Sequence, residues 1–262
     1  MEQLRDDKNG CEWDKEQTFE SIAPFTIEEA YEVADAIAKK NPEDIKLELG
    51  DLLLQVVFLS QIAKENGLFS FEDVCEAITK KLITRHPYVF KDKKSHTSDE
   101  QLVSWENTKA DERKEKNLDS LMDDIALNLP ALMRSQKIQK RAARVGFNWD
   151  SLDGYFSKAE EEILELKEAI KKEDQENIEE EVGDILMVFS NLARHLKVDA
   201  ENALGNSNRK FEKRFRYIED QLQNKKESIE KSSLEEMDKL WDEAKLIAVS
   251  YTHLTLPTNR EV

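Results

Sequence analysis

Phe71, Val74, Ile78 and Leu82 recur every three or four positions, so they share one face of a helix. Ser70 stands before them as a cap. The helix must end near His86-Pro87, because proline disfavours helix just ahead of it. The preceding segment is apolar almost all round at Leu52-Leu53-Leu54 and Val56-Val57-Phe58-Leu59, the pattern of a buried helix. Asn41-Pro42 starts it and Asn66-Gly67 stops it. Further upstream, Asn9-Gly10-Cys11-Glu12-Trp13-Asp14 reads as a turn. Pro24 and Thr26 then introduce a helix to about Lys40, with Thr26 as N-cap and Glu29 at N3 in the capping-box pattern.

Residues 91–120 change register. Lys91-Asp92-Lys93-Lys94 and Asp111-Glu112-Arg113-Lys114-Glu115-Lys116 carry charge, and few apolar residues stand beside Leu102, Val103 and Trp105. This is a linker or a solvated helix. Pro130 opens a basic helix through Arg141 and Arg144 to a stop at Gly146. Helices over roughly 157–172, 175–197 and 200–222 follow, and a last one is centred on Trp241.

The polar positions repeat. Glu28-Glu29-x-x-Glu32 is followed by Glu48-x-Gly50-Asp51, and Glu161-Glu162-x-x-Glu165 by Glu181-x-Gly183-Asp184, each member 133 positions after its counterpart. The apolar pairs Ile45/Ile178, Leu53/Leu186 and Leu59/Leu192 keep the same offset, and Phe147-Asn148-Trp149-Asp150 echoes Cys11-Glu12-Trp13-Asp14. Such a repeat sets the fold and the number of sites. It predicts an all-α chain of two tandem helical bundles, over 1–90 and 130–248, with 91–129 between them.

Composition agrees. The 262 residues suffice for two ordinary domains, and only 7 Gly and 5 Pro interrupt a Glu-, Lys-, Leu- and Ala-rich chain. A formal net charge of −17 repels nucleic acid phosphates. Any phosphate-bearing substrate must bring a cation or meet a local Lys/Arg cluster. Cys11 and Cys75 are isolated thiols, which suits a reducing compartment. No signal peptide and no membrane-spanning apolar run is found, so the expected address is cytoplasmic. Residues 249–262 differ: Val249 to Pro257 holds no acidic residue and reads as foreign to the charged helix before it, so no contribution to the fold is expected.

On a helix, Glu29 and Glu32 project together, as do Glu48 and Asp51, and the short turn between the helices makes them pack antiparallel. Glu162/Glu165 and Glu181/Asp184 do the same. Four carboxylates converging at a buried helix must be paired, protonated or metal-bound. All-oxygen ligands point to Mg²⁺, with Mn²⁺ as substitute. Gly50 and Gly183 cost about 1 kcal/mol each inside a helix, and would let a ligand or neighbouring backbone approach closely. One ExxE among 56 acidic residues is ordinarily a solvated face; two copies at fixed offset favour metal.

This motif set resembles the MazG family of nucleoside triphosphate pyrophosphohydrolases. The resemblance includes Gly10-Cys11-Glu12-Trp13-Asp14-Lys15, Arg85-His86-Pro87, Gly183-Asp184-Ile185-Leu186, Asn191-Leu192-Ala193-Arg194-His195 and Lys210-Phe211-Glu212-Lys213-Arg214-Phe215, and extends to Trp241. It implies an all-α homodimer that hydrolyses nucleoside triphosphates to monophosphate and pyrophosphate with Mg²⁺, tolerant of base. The family's metal ligands map onto Glu162, Glu165, Glu181 and Asp184, with Glu29, Glu32, Glu48 and Asp51 as their first-copy counterparts. Its nucleotide contacts map onto Lys158, Ala159, Glu160, Glu161 and Glu162, onto Asn177, Ile178, Glu179 and Glu180, and onto Asp184. They continue with Lys210, Phe211, Glu212, Lys213, Arg214 and Trp241. Lys210, Lys213 and Arg214 would offset triphosphate charge, and Trp241 could stack on a base. Glu161, outside the tightest shell, is the expected proton acceptor. Trp13 and Trp149 are expected in the core or the turn, and His195 in a structural role.

Other readings are a narrower dUTP, dCTP or phosphoribosyl-ATP pyrophosphatase, and a non-enzymatic acidic metal-binding scaffold. A ferritin-like di-iron bundle needs Glu-x-x-His pairs, which neither copy has. At an offset of 129, Lys81, Leu82, Arg85 and Tyr88 align with Lys210, Phe211, Arg214 and Tyr217, while Lys213 meets Thr84. Pro87 interrupts the first copy's helix. The second copy is therefore expected to carry most turnover.

Overall fold

A computed structural model describes residues 1–90, 97–115 and 120–254. Among them the chain is all-α, and it divides into two compact units, Met1–Glu115 and Lys116–Val262. The runs Lys91–Lys94 and the end of the tail fall outside the described residues, as does Lys116.

In the first unit α1 (Glu12–Glu16) precedes α2 (Phe19–Lys39) and α3 (Pro42–Glu65). Ile22, near the start of α2, packs on Phe58 and Ile62, near the end of α3, so the pair is antiparallel. Lys40 closes α2 in the left-handed region (φ 58°), and Asn41 caps α3 by accepting from the Glu43 amide, with Pro42 in the first turn. Next come α4 (Phe71–Arg85), α5 (Pro87–Phe90) and α6 (Ser98–Glu115). Ser70 and Asp73 form the capping box of α4, and Pro87 ends that helix as expected. In α6, Trp105 lies under the Arg85 guanidinium, which also pairs with Glu112.

The second unit begins with α7 (Ala131–Ala143), then α8 (Leu152–Lys172), α9 (Gln175–His195) and α10 (Ala200–Asn224). Tyr155 at the start of α8 meets His195 at the end of α9, again an antiparallel pair. Gln136 of α7 donates to the Ser190 and Val198 carbonyls and accepts from the Ala200 amide, tying α7 to α9 and α10. A 3-10 turn (Ile229–Lys231) leads to α11 (Leu234–Leu254), whose Leu240 packs on Ile218 and Leu222 of α10.

Four expectations need correction. The N-cap of the first long helix is Thr18, not Thr26: Thr18 and Ser21 form the capping box, and Pro24 lies inside the helix. Burial of Ile22 holds these extra turns despite the amide donor that proline removes. Similarly, α8 starts at Leu152 rather than 157, because fully buried Tyr155 anchors its first turn. The apolar helix α3 is not buried all round: Leu47, Leu49, Leu53, Leu54 and Val56 are exposed, because α2 covers one side only. Finally, α11 continues to Leu254, six residues past the expected boundary at 248; each added residue of a formed helix gains a backbone bond.

Candidate metal and nucleotide site

In the second unit α8 contributes Glu162 and Glu165 one turn apart, and α9 brings Glu181 opposite them. One carboxylate oxygen from each lies within 4.8 Å of the others. Glu162 is buried, and Oε2 of half-buried Glu181 is closed from solvent without a hydrogen-bond partner. Burial, then the Glu162 carboxylate, pushes Glu165 above the ordinary carboxylate range; burial, then Glu165 and Glu162, does the same to Glu181. Lys158, one turn before Glu162, donates to Glu161 at 2.7 Å and lies 2.8 Å from Glu162, and those bonds raise its own pKa. Such a donor set fits a hard divalent cation: it is all oxygen, converging, and one buried acceptor is orphaned.

The first unit assembles a related cluster from Glu29, Glu48 and Asp51, again with oxygens within 4.8 Å of one another. Burial and then Glu32 raise both Glu29 and Glu48, and Glu29 Oε2 is sealed without a partner. Thus three of each expected foursome converge. Glu32 acts on its cluster through charge, and Asp184 lines the space in front of Glu162. Gly50 and Gly183 are not explained by backbone packing: a Cβ at either meets nothing within 4 Å in this chain.

A cavity of about 340 Å³ opens on the second cluster, lined by Lys158, Glu162 and Asp184 and by Gln139, Phe147, Trp149, Met187, Val188 and Asn191. Beside it lies an apolar cavity of about 680 Å³ between α7, the turn at Val145–Trp149 and α9. Five residues wall both: Gln139, Phe147, Trp149, Met187 and Asn191. Trp149, in the turn as expected, also walls both cavities. It lies over Gly154, where a Cβ would come within 2.6 Å of its ring, and edge-on to Tyr155 at 4.8 Å. Behind it, the Tyr155 hydroxyl donates to Asn148 Oδ1 and meets His195 Nδ1 at 3.3 Å, a structural setting for that histidine.

The other nucleotide positions lie elsewhere. Asn177, Ile178, Glu179 and Glu180 occupy the first turns of α9. Lys210 to Arg214 sit on α10, unbroken through this stretch, where Phe211 packs on Trp241 at 5.0 Å and Arg214 lies over the Trp241 ring at 5.4 Å. None of these lines the two cavities. Gln139 and Asn191 line both cavities, although neither stood among the expected site residues. The repeat carried a signal, however: at the 133 offset Lys158 and Asn191 replace Phe25 and Phe58, polar for aromatic on a shared scaffold.

Paired antiparallel helices that present converging carboxylates beside a cavity define an all-α protein with acidic clusters able to hold a metal ion. A family model, the MazG nucleotide pyrophosphohydrolase domain, matches residues 17–90 and 152–218. The nucleoside triphosphate pyrophosphohydrolase of Escherichia coli K12 is 50% identical over 247 residues, 94% of each chain. The nucleoside triphosphate pyrophosphohydrolase/pyrophosphatase MazG of Thermotoga maritima is 44% identical over 94% of this chain and 92% of its own. YabN of Bacillus subtilis is 42% identical over 90% of this chain and 48% of its own. The chain belongs to the MazG family, and its two matched segments are the two copies of the repeat.

Proposed function

We propose that this enzyme is a Mg²⁺-dependent nucleoside triphosphate pyrophosphohydrolase, tolerant of base, that works from its second unit as a homodimer. The observation that carries the reading is the Glu162–Glu165–Glu181 cluster with its orphaned Glu181 Oε2, where Lys158 lies 2.8 Å from Glu162 and both line a cavity. The printed activity of the E. coli and Thermotoga relatives supports it.

Glu162, Glu165, Glu181 and Asp184 would hold the ion, which when bound supplies charge neutralisation and Lewis acidity toward phosphoryl oxygens. Lys158 offsets part of the acidic charge and turns Glu161 by its hydrogen bond, leaving Glu161 to take the proton of the attacking water. Lys210, Lys213 and Arg214 meet the remaining phosphate charge. Base tolerance follows because these groups read phosphate and metal. The homodimer is supported by Val182, Leu186 and Phe189, which leave an apolar strip of α9 exposed, and by open Gly183 on the same helix. No described helix is long and apolar enough to cross a membrane, and the exposed free thiols suit a cytoplasmic setting.

Phosphorus NMR of a nucleoside triphosphate panel with Mg²⁺ tests the reaction. Monophosphate and pyrophosphate from several bases are expected. Release of orthophosphate and diphosphate overturns attack at the α-phosphorus, and turnover of one base alone overturns tolerance. Sedimentation equilibrium tests the dimer.

A further inference from the structure

The last turn of α9 places a guanidinium between two amides, and only in the second copy. At the 133 offset, Tyr155, Asn191, Arg194 and His195 stand where the first copy has Ile22, Phe58, Gln61 and Ile62. There Ile22, Phe58 and Ile62 pack as one apolar cluster, and Gln61 donates to Glu65 at 2.9 Å. Closing such a hairpin therefore requires no polar group at these positions.

Arg194 donates through Nε to Asn191 Oδ1 at 2.8 Å, and through Nη2 to Asn148 Oδ1 and to the Tyr155 hydroxyl at 3.3 Å. The hydroxyl of fully buried Tyr155 donates to Asn148 Oδ1 at 2.8 Å, so the guanidinium is held from α8 and from the turn before it at once. Arginine only donates, which sets the Asn191 amide: Oδ1 turns to the guanidinium and Nδ2 is the remaining end. Among the described residues nothing accepts from that Nδ2. Asn191 lies seven positions after Asp184, on the same face of α9, and both line the cavity of about 340 Å³ in front of Glu162.

We propose that Arg194 is a positioning residue of the second unit: it holds the Asn191 amide with its N–H end toward the acidic cavity, where Nδ2 donates to a phosphoryl oxygen of the triphosphate. This rests on the pyrophosphohydrolase reading. In the flipped amide Oδ1 would oppose the phosphoryl oxygen, acceptor against acceptor. Arg194 excludes that state, because a guanidinium has no acceptor to offer Nδ2. A neutral donor also suits a cavity walled by carboxylates, since it escapes the ion pairing that draws Lys158 onto Glu161 and Glu162. Phe58 and Gln61 supply neither part in the first copy.

A double-mutant cycle tests the pairing, read by titration calorimetry with Mg²⁺ and tripolyphosphate and by steady-state kinetics with ATP. Asn191→Leu, apolar like the first copy's Phe58, should weaken tripolyphosphate about tenfold and raise KM by a similar factor, with kcat within about twofold. Arg194→Met should do the same, and the double variant should lose no more than about twofold beyond Asn191→Leu. If Arg194→Met unfolds, Arg194→Lys completes the cycle, because it keeps the charge and gives up the fork that reaches both amides. Additive losses would show that Arg194 acts by its charge or through the fold. Unchanged affinity in either single variant, a loss confined to kcat, or no tripolyphosphate binding by the unaltered protein would also overturn the proposal. If the binding pattern holds but no triphosphate yields pyrophosphate, the positioning role stands and the reaction assigned above falls.

Discussion

The first unit solves its helix pairing with apolar contacts, and the second spends the same positions on a polar site. Ile22, Phe58 and Ile62 form a buried cluster in the first; at the 133 offset the second has Tyr155, Asn191 and His195. Tyr155 is as buried as Ile22, but its hydroxyl needs partners and finds them in Asn148 and His195. The carboxylates persist in both copies, whereas the lysine beside them does not: Phe25 stands where Lys158 would be. A repeat can therefore keep an acidic cluster while losing the groups that make it useful to a triphosphate.

The largest expected effect divides the copies by activity. Glu165→Ala/Asp184→Ala should lower pyrophosphate release about 10³-fold or more, of the order seen when key transition-state contacts are removed. Glu32→Ala/Asp51→Ala should keep most of it. Equal losses in steady-state assays would end the argument for a single working unit.

Stability should divide the other way. Phe58→Ala removes a ring that is 4% exposed and should cost about 3–5 kcal/mol in denaturant melts, with little change in turnover per folded molecule. Asn191→Ala loses one hydrogen bond with Arg194, about 1 kcal/mol, yet should raise KM. If Asn191→Ala destabilises as much as Phe58→Ala, the polar position is structural after all.

Lys158→Met sharpens the role of the missing lysine. The side chain is about a third exposed, so its two carboxylate contacts should contribute only about 1 kcal/mol to metal-free stability. The same variant should gain a larger thermal shift from Mg²⁺, since the ion then takes the place of the Lys158 ammonium beside Glu162; an unchanged shift would refute that exchange.

The smallest effect is in pH. Burial and neighbouring carboxylates raise Glu165 and Glu181, so the folded state keeps protons that the unfolded chain has lost. Their contribution to stability is full below the ordinary carboxylate range and is lost as pH rises through the raised values. Relative to Glu165→Gln/Glu181→Gln, the metal-free protein should therefore become less stable as pH rises above the ordinary carboxylate range. Mg²⁺ should reverse the trend, because ligands must be deprotonated to bind it. A flat difference would show that the acids do not repel as the geometry requires.

From its sequence alone the chain settled its helices, their antiparallel pairing and its doubled carboxylates. Helical period and a short Asn41-Pro42 turn act locally, and a fixed offset of 133 marks a duplicated unit. Local signals misplaced the start of α2, because both Thr18 and Thr26 can cap and only burial of Ile22 chooses between them. They also left the surroundings of the acids unread. Whether a tryptophan fills a core or walls a cavity depends on what the opposite helix places against it, which periodicity does not encode. The tertiary structure decided that Phe25 and Phe58 meet Trp13, while Trp149, Gln139 and Asn191 surround open space. It also decided that α3 and α9 keep an apolar side outward, since each has one long partner in its own hairpin and a helix has more than one side to cover.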